Sequence, residues 1–96
     1  MTIRANPNLL DQVGRDVLNL GNEVRDATSL TQQAGNNALH AWNSQFSFQF
    51  LSSVEAVTRR LRDLEMQIMV AGKKLQIAAN EVREAERRLQ AQMAAR

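Results

Sequence analysis

Few residues in this chain could do covalent chemistry, and their arrangement supports none. His40 is the only imidazole, and there is no Cys. A histidine works as a general base when a nucleophile lies within hydrogen-bond reach and a third group orients the ring. No motif holds a Ser beside His40, and without Cys there is no thiolate nucleophile. The same count nearly excludes metal sites built on Cys or His. Glu81, Glu84 and Glu86 cluster, but Arg83, Arg87 and Arg88 stand among them and point to ion pairing. No Gly-rich phosphate loop is present. Arg59-Arg60-x-Arg62 could touch a phosphate backbone. No aromatic or Gly-rich module accompanies it, so a solvated helix face is the stronger reading and no nucleic-acid partner is expected. The chain reads as a non-enzymatic protein with no cofactor and no metal.

The residue that stands out is Trp42, the only Trp. It lies in His40-Ala41-Trp42-Asn43-Ser44-Gln45-Phe46-Ser47, where apolar periodicity fails and small polar residues cluster. Asn and Ser favour turns and caps because their side chains bond nearby backbone N–H groups. A break between two periodic runs predicts a helical hairpin with its bend here.

On the first arm, Leu10, Val13, Val17, Leu20, Val24, Ala27, Thr31, Ala34, Ala38 and Ala41 alternate spacings of three and four. That spacing predicts an a/d seam. On the second arm the same pattern runs Phe50, Val54, Val57, Leu61, Leu64, Ile68, Ala71, Leu75, Ala78, Val82, Ala85 and Leu89. Ala along the first seam predicts that the arms pinch together near the bend. Asn6-Pro7 suits the first helix start, as a cap followed by a Pro whose missing N–H would be unpaired there anyway. Asp11 is placed to pair with Arg15, and Glu84 with Arg88, one turn apart. The second helix is capped by Ser44 or Ser47. Gly14, Gly21, Thr28 and Gly35 fall seven apart on one edge of the first seam. Interior Gly costs roughly 1 kcal/mol relative to Ala, and the shared register favours close packing over a flexible arm. Gly35-Asn36-Asn37 is the weakest helical stretch, a place to kink or fray.

The fold class is therefore all-α. The expected architecture is an antiparallel two-helix hairpin, about 7–40 and 46–93, in a single domain spanning 1–96. The second arm outruns the first, so 82–96 form a helical overhang or a frayed tail. A lone hairpin has little interior and usually needs a partner, either as a four-helix bundle or on a partner helical domain. A second stripe on the second arm, Met66, Met69, Val70 and Ile77, lies away from the a/d seam. It suits either an adaptable binding surface or the wide apolar face of a bundle. Net charge is only +2, with 12 basic and 10 acidic residues. No run is long enough to span a bilayer, and no cleavable signal-peptide pattern is seen.

In its length, its Ala-rich approach Ala38-Leu39-His40-Ala41, its mid-chain Trp42 and the aromatic Phe50, the chain resembles the WXG family. These are the small early-secreted-antigen-like proteins of bacterial type VII (ESX) secretion. The resemblance covers nearly the whole chain. Trp42-Asn43-Ser44 stands where the family has Trp-x-Gly. Val82 and Glu86 stand where it has an aromatic, usually Tyr, and an acid four residues later. Ser keeps the turn possible, whereas Val82 replaces the Tyr of the export signal. Such a chain is exported either on its own signal or with a partner that supplies one.

The resemblance implies a homodimer or heterodimer of hairpins and recognition by the secretion ATPase. It implies export without a cleaved signal peptide from a cytoplasmic pool, and no membrane span. Some relatives are adaptors for the N-terminal helical domain of a large secreted toxin. It further implies a composite recognition end, with Trp42, Asn43 and Ser44 close to Val82 and Glu86 across the dimer. Two other classes fit a small signal-less hairpin: a structural assembly subunit such as a type III needle or inner-rod protein, and a cytosolic coiled-coil regulator or chaperone.

Overall fold

The computed structural model describes residues 5–41 and 45–95. Helix α1 spans Pro7–Ala41 and helix α2 spans Gln45–Ala94. They pack side by side as an antiparallel hairpin measuring 79 × 18 × 17 Å. Asn6 caps α1: its Oδ1 accepts from the backbone N–H of Asn8 at 3.1 Å and of Leu9 at 3.2 Å, which satisfies two donors that have no partner inside the helix. The helix runs unbroken through Gly35-Asn36-Asn37. Trp42, Asn43 and Ser44, the predicted bend, lie outside the described residues.

The interface between the arms differs from the predicted one by one column on each helix. Leu10, Val17, Val24, Thr31 and Ala38 are half-buried as expected. The other half of the α1 seam is Gly14, Gly21, Thr28 and Gly35, all buried, while Val13, Leu20, Ala27, Ala34 and Ala41 are exposed. On α2, Val54, Leu61, Ile68, Leu75 and Val82 are half-buried as expected. Their companions are Leu51, Thr58, Glu65, Gly72 and Ala79, and Phe50, Val57, Leu64, Ala71 and Ala85 are exposed. The reason is steric. α1 carries a column of small residues next to its half-buried apolar column, α2 sets Thr58, Gly72 and Ala79 in the facing column, and small residues let two backbones approach. The glycine column is therefore the centre of the contact, not its edge. The close approach runs the length of the pair and is not confined to the Ala-rich end.

Packing at the glycines is tight. A Cβ on Gly14 would lie 3.1 Å from the Gly72 carbonyl oxygen, and one on Gly72 would lie 2.8 Å from Leu18 Cδ2. A Cβ on Gly21 would meet Met69 Sδ at 2.7 Å, and one on Gly35 would meet Val54 Cγ1 at 2.8 Å. None of these glycines has a positive φ, so they are needed for space and not for backbone freedom.

Such a seam buries little apolar matter. Among the described residues Ala79 is the one buried apolar side chain, alongside the polar Thr28, Ser47 and Thr58. The threonines satisfy their hydroxyls locally. Thr28 Oγ1 donates to the Val24 carbonyl at 2.9 Å and Thr58 Oγ1 to the Val54 carbonyl at 2.8 Å. This i−4 bond lets a hydroxyl sit in an apolar seam without an unmet donor.

Among the described residues, the ion pairs join the two helices. Arg25 Nε donates to Glu65 at 2.6 Å, and Arg83 pairs with Asp11 at 2.5 Å. Arg83 also donates to Asn8 Oδ1 at 3.1 Å. Asp11 thus reaches across to α2 and not along α1 to Arg15. The expected Glu84–Arg88 pair is not in contact. Because Arg83 lies opposite the first turns of α1, residues 84–94 extend beyond it, and all of them are exposed.

Candidate functional site

The exposed columns form one surface. Each sits one residue before its helix's buried small column, so both are rotated by about 100° in the same helical sense from the contact. In antiparallel right-handed helices, equal rotations in that sense lead to the same side of the pair. Val13, Leu20, Ala27 and Ala34 of α1 therefore share a face with Phe50, Val57, Leu64 and Ala71 of α2. The large members, Val13, Leu20, Phe50, Val57 and Leu64, are 40–48% exposed. Large residues on one helix lie beside small ones on the other: Leu20 is level with Ala71, and Val57 with Ala34. The face is thus continuous from end to end.

The charged edge lies on the opposite side, where the Arg83–Asp11 and Arg25–Glu65 pairs are made. A groove of about 410 Å³ opens there between the arms, floored by Leu51 and Val54 and walled by Gln32, Asn36, Glu55, Thr58, Arg59 and Arg62. Two of the Arg59-Arg60-x-Arg62 arginines therefore line this groove. Among the described residues, no group of three His, Cys, Asp or Glu side chains comes together to hold a metal ion. No described helix is long and apolar enough to cross a membrane.

No family model, curated protein or solved structure matches this chain. The site must be read from its own residues.

Of the predicted site residues, Met66, Val70 and Ile77 are exposed on the outer side of α2, away from the apolar face. Met69 is half-buried against Gly21 and belongs to the hairpin seam. The exposed stripe is therefore three residues, broken by Lys73 and Lys74. Val82 is half-buried near the start of α1, and Glu86 is exposed one turn further on, in the extension. Trp42, Asn43 and Ser44 fall outside the described residues. Sequence reasoning placed Val13, Leu20, Val57 and Leu64 inside the hairpin, although they form its outer face. The signal that could have corrected this was the heptad spacing of Gly14, Gly21, Thr28 and Gly35.

Surface area shows how incomplete the isolated hairpin is. It exposes 7746 Å², about 2,200 Å² more than a globular monomer of its mass. Its radius of gyration is 22.1 Å, against about 12.5 Å for a compact chain of this length. Both values follow from an elongated two-helix rod, in which each helix has only one neighbour to bury its surface against.

Proposed function

We propose that the chain is a non-enzymatic substrate or targeting adaptor of a type VII-like secretion route, working by pairing its apolar face with another helical hairpin or helical domain. The observation that carries this reading is the apolar face left exposed on one side of a hairpin whose own seam fully buries Gly, Thr and Ala while Val13, Leu20, Val57 and Leu64 stay outside it. A two-helix hairpin is one half of the architecture that the WXG resemblance implies, and Trp42-Asn43-Ser44 stand between the two helices in sequence. In this reading the hairpin pairs in the cytoplasm, and the complex leaves without a cleaved signal peptide. An adaptor of this kind would deliver the N-terminal helical domain of a larger effector to the secretion ATPase.

Trp42 is assigned to recognition at the bend end. Val82 and Glu86 would contribute at the other end, with Glu86 the accessible member of that pair. The Trp42→Ala variant tests the reading. Retained helicity and association with loss of export or effector binding would support it. Unchanged export of the variant, or export that persists when the secretion ATPase is deleted, would refute it.

A further inference from the structure

We infer that the groove on the charged edge binds an acidic side chain of a partner polypeptide, carried on an extended segment with apolar neighbours. The groove lies across the hairpin from the exposed apolar face, so this inference is independent of the secretion reading. The charged edge repeats by heptads. Asp11 on α1 pairs with Arg83 on α2. Three heptads further along α1 stands Gln32, and three heptads back along α2 stands Arg62. In antiparallel helices those two steps keep residues opposite each other, and both side chains line the groove. Arg62 therefore faces a neutral amide where Arg83 faces a carboxylate. Between the two positions, Arg25 has its acid in Glu65. At Arg62 the edge keeps the cation and supplies no acid from α1.

The side chains around Arg62 fit such a ligand. Among the described residues, Gln32, Asn36, Glu55, Arg59 and Arg62 make no hydrogen bond or ion pair through their side chains. Arg59 and Arg62 stand three residues apart on α2 and present two guanidinium forks, each able to hold a carboxylate through two parallel N–H bonds. Glu55 offsets one of the two positive charges, so the groove favours a single negative charge over a doubly charged phosphate. Leu51 and Val54, both half-buried, floor the groove and offer apolar contact to carbons beside the acid. The buried Thr58 hydroxyl already donates to the Val54 carbonyl at 2.8 Å, so no unmet donor lies on that floor. Gln32 and Asn36 stand one turn apart on α1. Each carboxamide carries both a donor and an acceptor, the set that matches a peptide group. Among the described residues two helices alone bound the groove, so it has no roof. Small-molecule pockets bury about 70–90% of their ligand, whereas a free organic acid here would stay mostly in water. A segment of a larger protein brings its own covering surface.

The test uses the full, isotope-labelled chain, followed by NMR at low salt and titrated with a capped Ala-Leu-Glu-Leu-Ala peptide. The peptide is expected to shift the side-chain N–H signals of Gln32, Asn36 and Arg62, with a Kd of about 1 mM or tighter. The same peptide with Gln in place of Glu should bind about tenfold more weakly. Arg62→Gln should weaken binding of the acidic peptide about tenfold while leaving helix content and Tm unchanged, since Arg62 is exposed and unpaired in the hairpin. Gln32→Glu supplies from α1 the acid that Arg83 has in Asp11, and should weaken peptide binding by a similar factor. Equal binding of the two peptides, unchanged binding by Arg62→Gln, or no shift with about 5 mM acidic peptide would overturn the inference. Larger shifts with glutarate or inorganic phosphate than with the peptide would overturn the polypeptide assignment and leave a small-anion site only. Shifts of the same signals on raising the protein concentration alone would assign the groove to a second copy and overturn it equally.

Discussion

In most helices, replacing an interior glycine with alanine stabilises the protein by about 1 kcal/mol, because Ala restricts the unfolded chain and suits the helix. At Gly72 the opposite sign is expected. The added methyl would lie 2.8 Å from Leu18 Cγ and Cδ2 and 3.2 Å from the Gly14 carbonyl oxygen. Leu18 is held by its own branch point and not merely by a free chain end, and the carbonyl belongs to a helix backbone. Relief requires Leu18 to leave its rotamer or the arms to move apart. Overpacking of this kind costs about 1–3 kcal/mol, so after the propensity gain the net effect is a loss of about 1 kcal/mol. For a chain of this size that corresponds to a fall in Tm of roughly 5 °C.

The assay is thermal and urea unfolding followed by circular dichroism at one fixed protein concentration, because association would add to apparent stability. Pairing Gly72→Ala with Leu18→Ala should recover part of the loss, since the shortened side chain makes room for the methyl. A Gly72→Ala variant that melts at or above the parent temperature would refute the close glycine contact between the helices.

The cap and the inter-helix ion pairs give two more expectations. Asn6→Ala removes the acceptor for the Asn8 and Leu9 N–H groups. It should cost about 1 kcal/mol and speed amide exchange in the first turn of α1 while leaving α2 unchanged. Arg83→Ala removes contacts to Asp11, Asn8 and Asn80 at once and should lower stability by about 1 kcal/mol. Arg25→Ala should cost under about 0.5 kcal/mol, because Arg25 is largely exposed and such pairs contribute little. Equal losses at the two arginines would contradict this ranking.

Fold class, element number and helix limits were legible because two long periodic runs flank a polar break, and because Asn6-Pro7 has the chemistry of a helix start. The face each helix turns to its neighbour was not. Half-buried residues such as Val17 and Ile68 belong to any seam drawn on these helices. Their partners could be the large column with Leu20 and Leu64 or the small column with Gly21 and Gly72. Apolar periodicity favours the large column by weight, while backbone approach favours the small one, and the second effect wins inside the hairpin. The same conflict explains Met69, which reads as part of an outer stripe but fills the space left by Gly21. For the functional surface the consequence is direct. Val13, Leu20, Val57 and Leu64, which apolar periodicity places in the hairpin's core, are the ones left exposed.

The claim that this face takes a second hairpin is tested most directly by the mass of the full chain in solution, measured by sedimentation at micromolar concentrations. The parent should sediment as a dimer of the 10.8 kDa chain. Leu20→Asp with Leu64→Asp, which puts a charge on each helix of the exposed face, should convert it to monomer while helix content is retained. A parent chain that sediments as monomer, or a doubly substituted chain that dimerises as tightly as the parent, would contradict the claim.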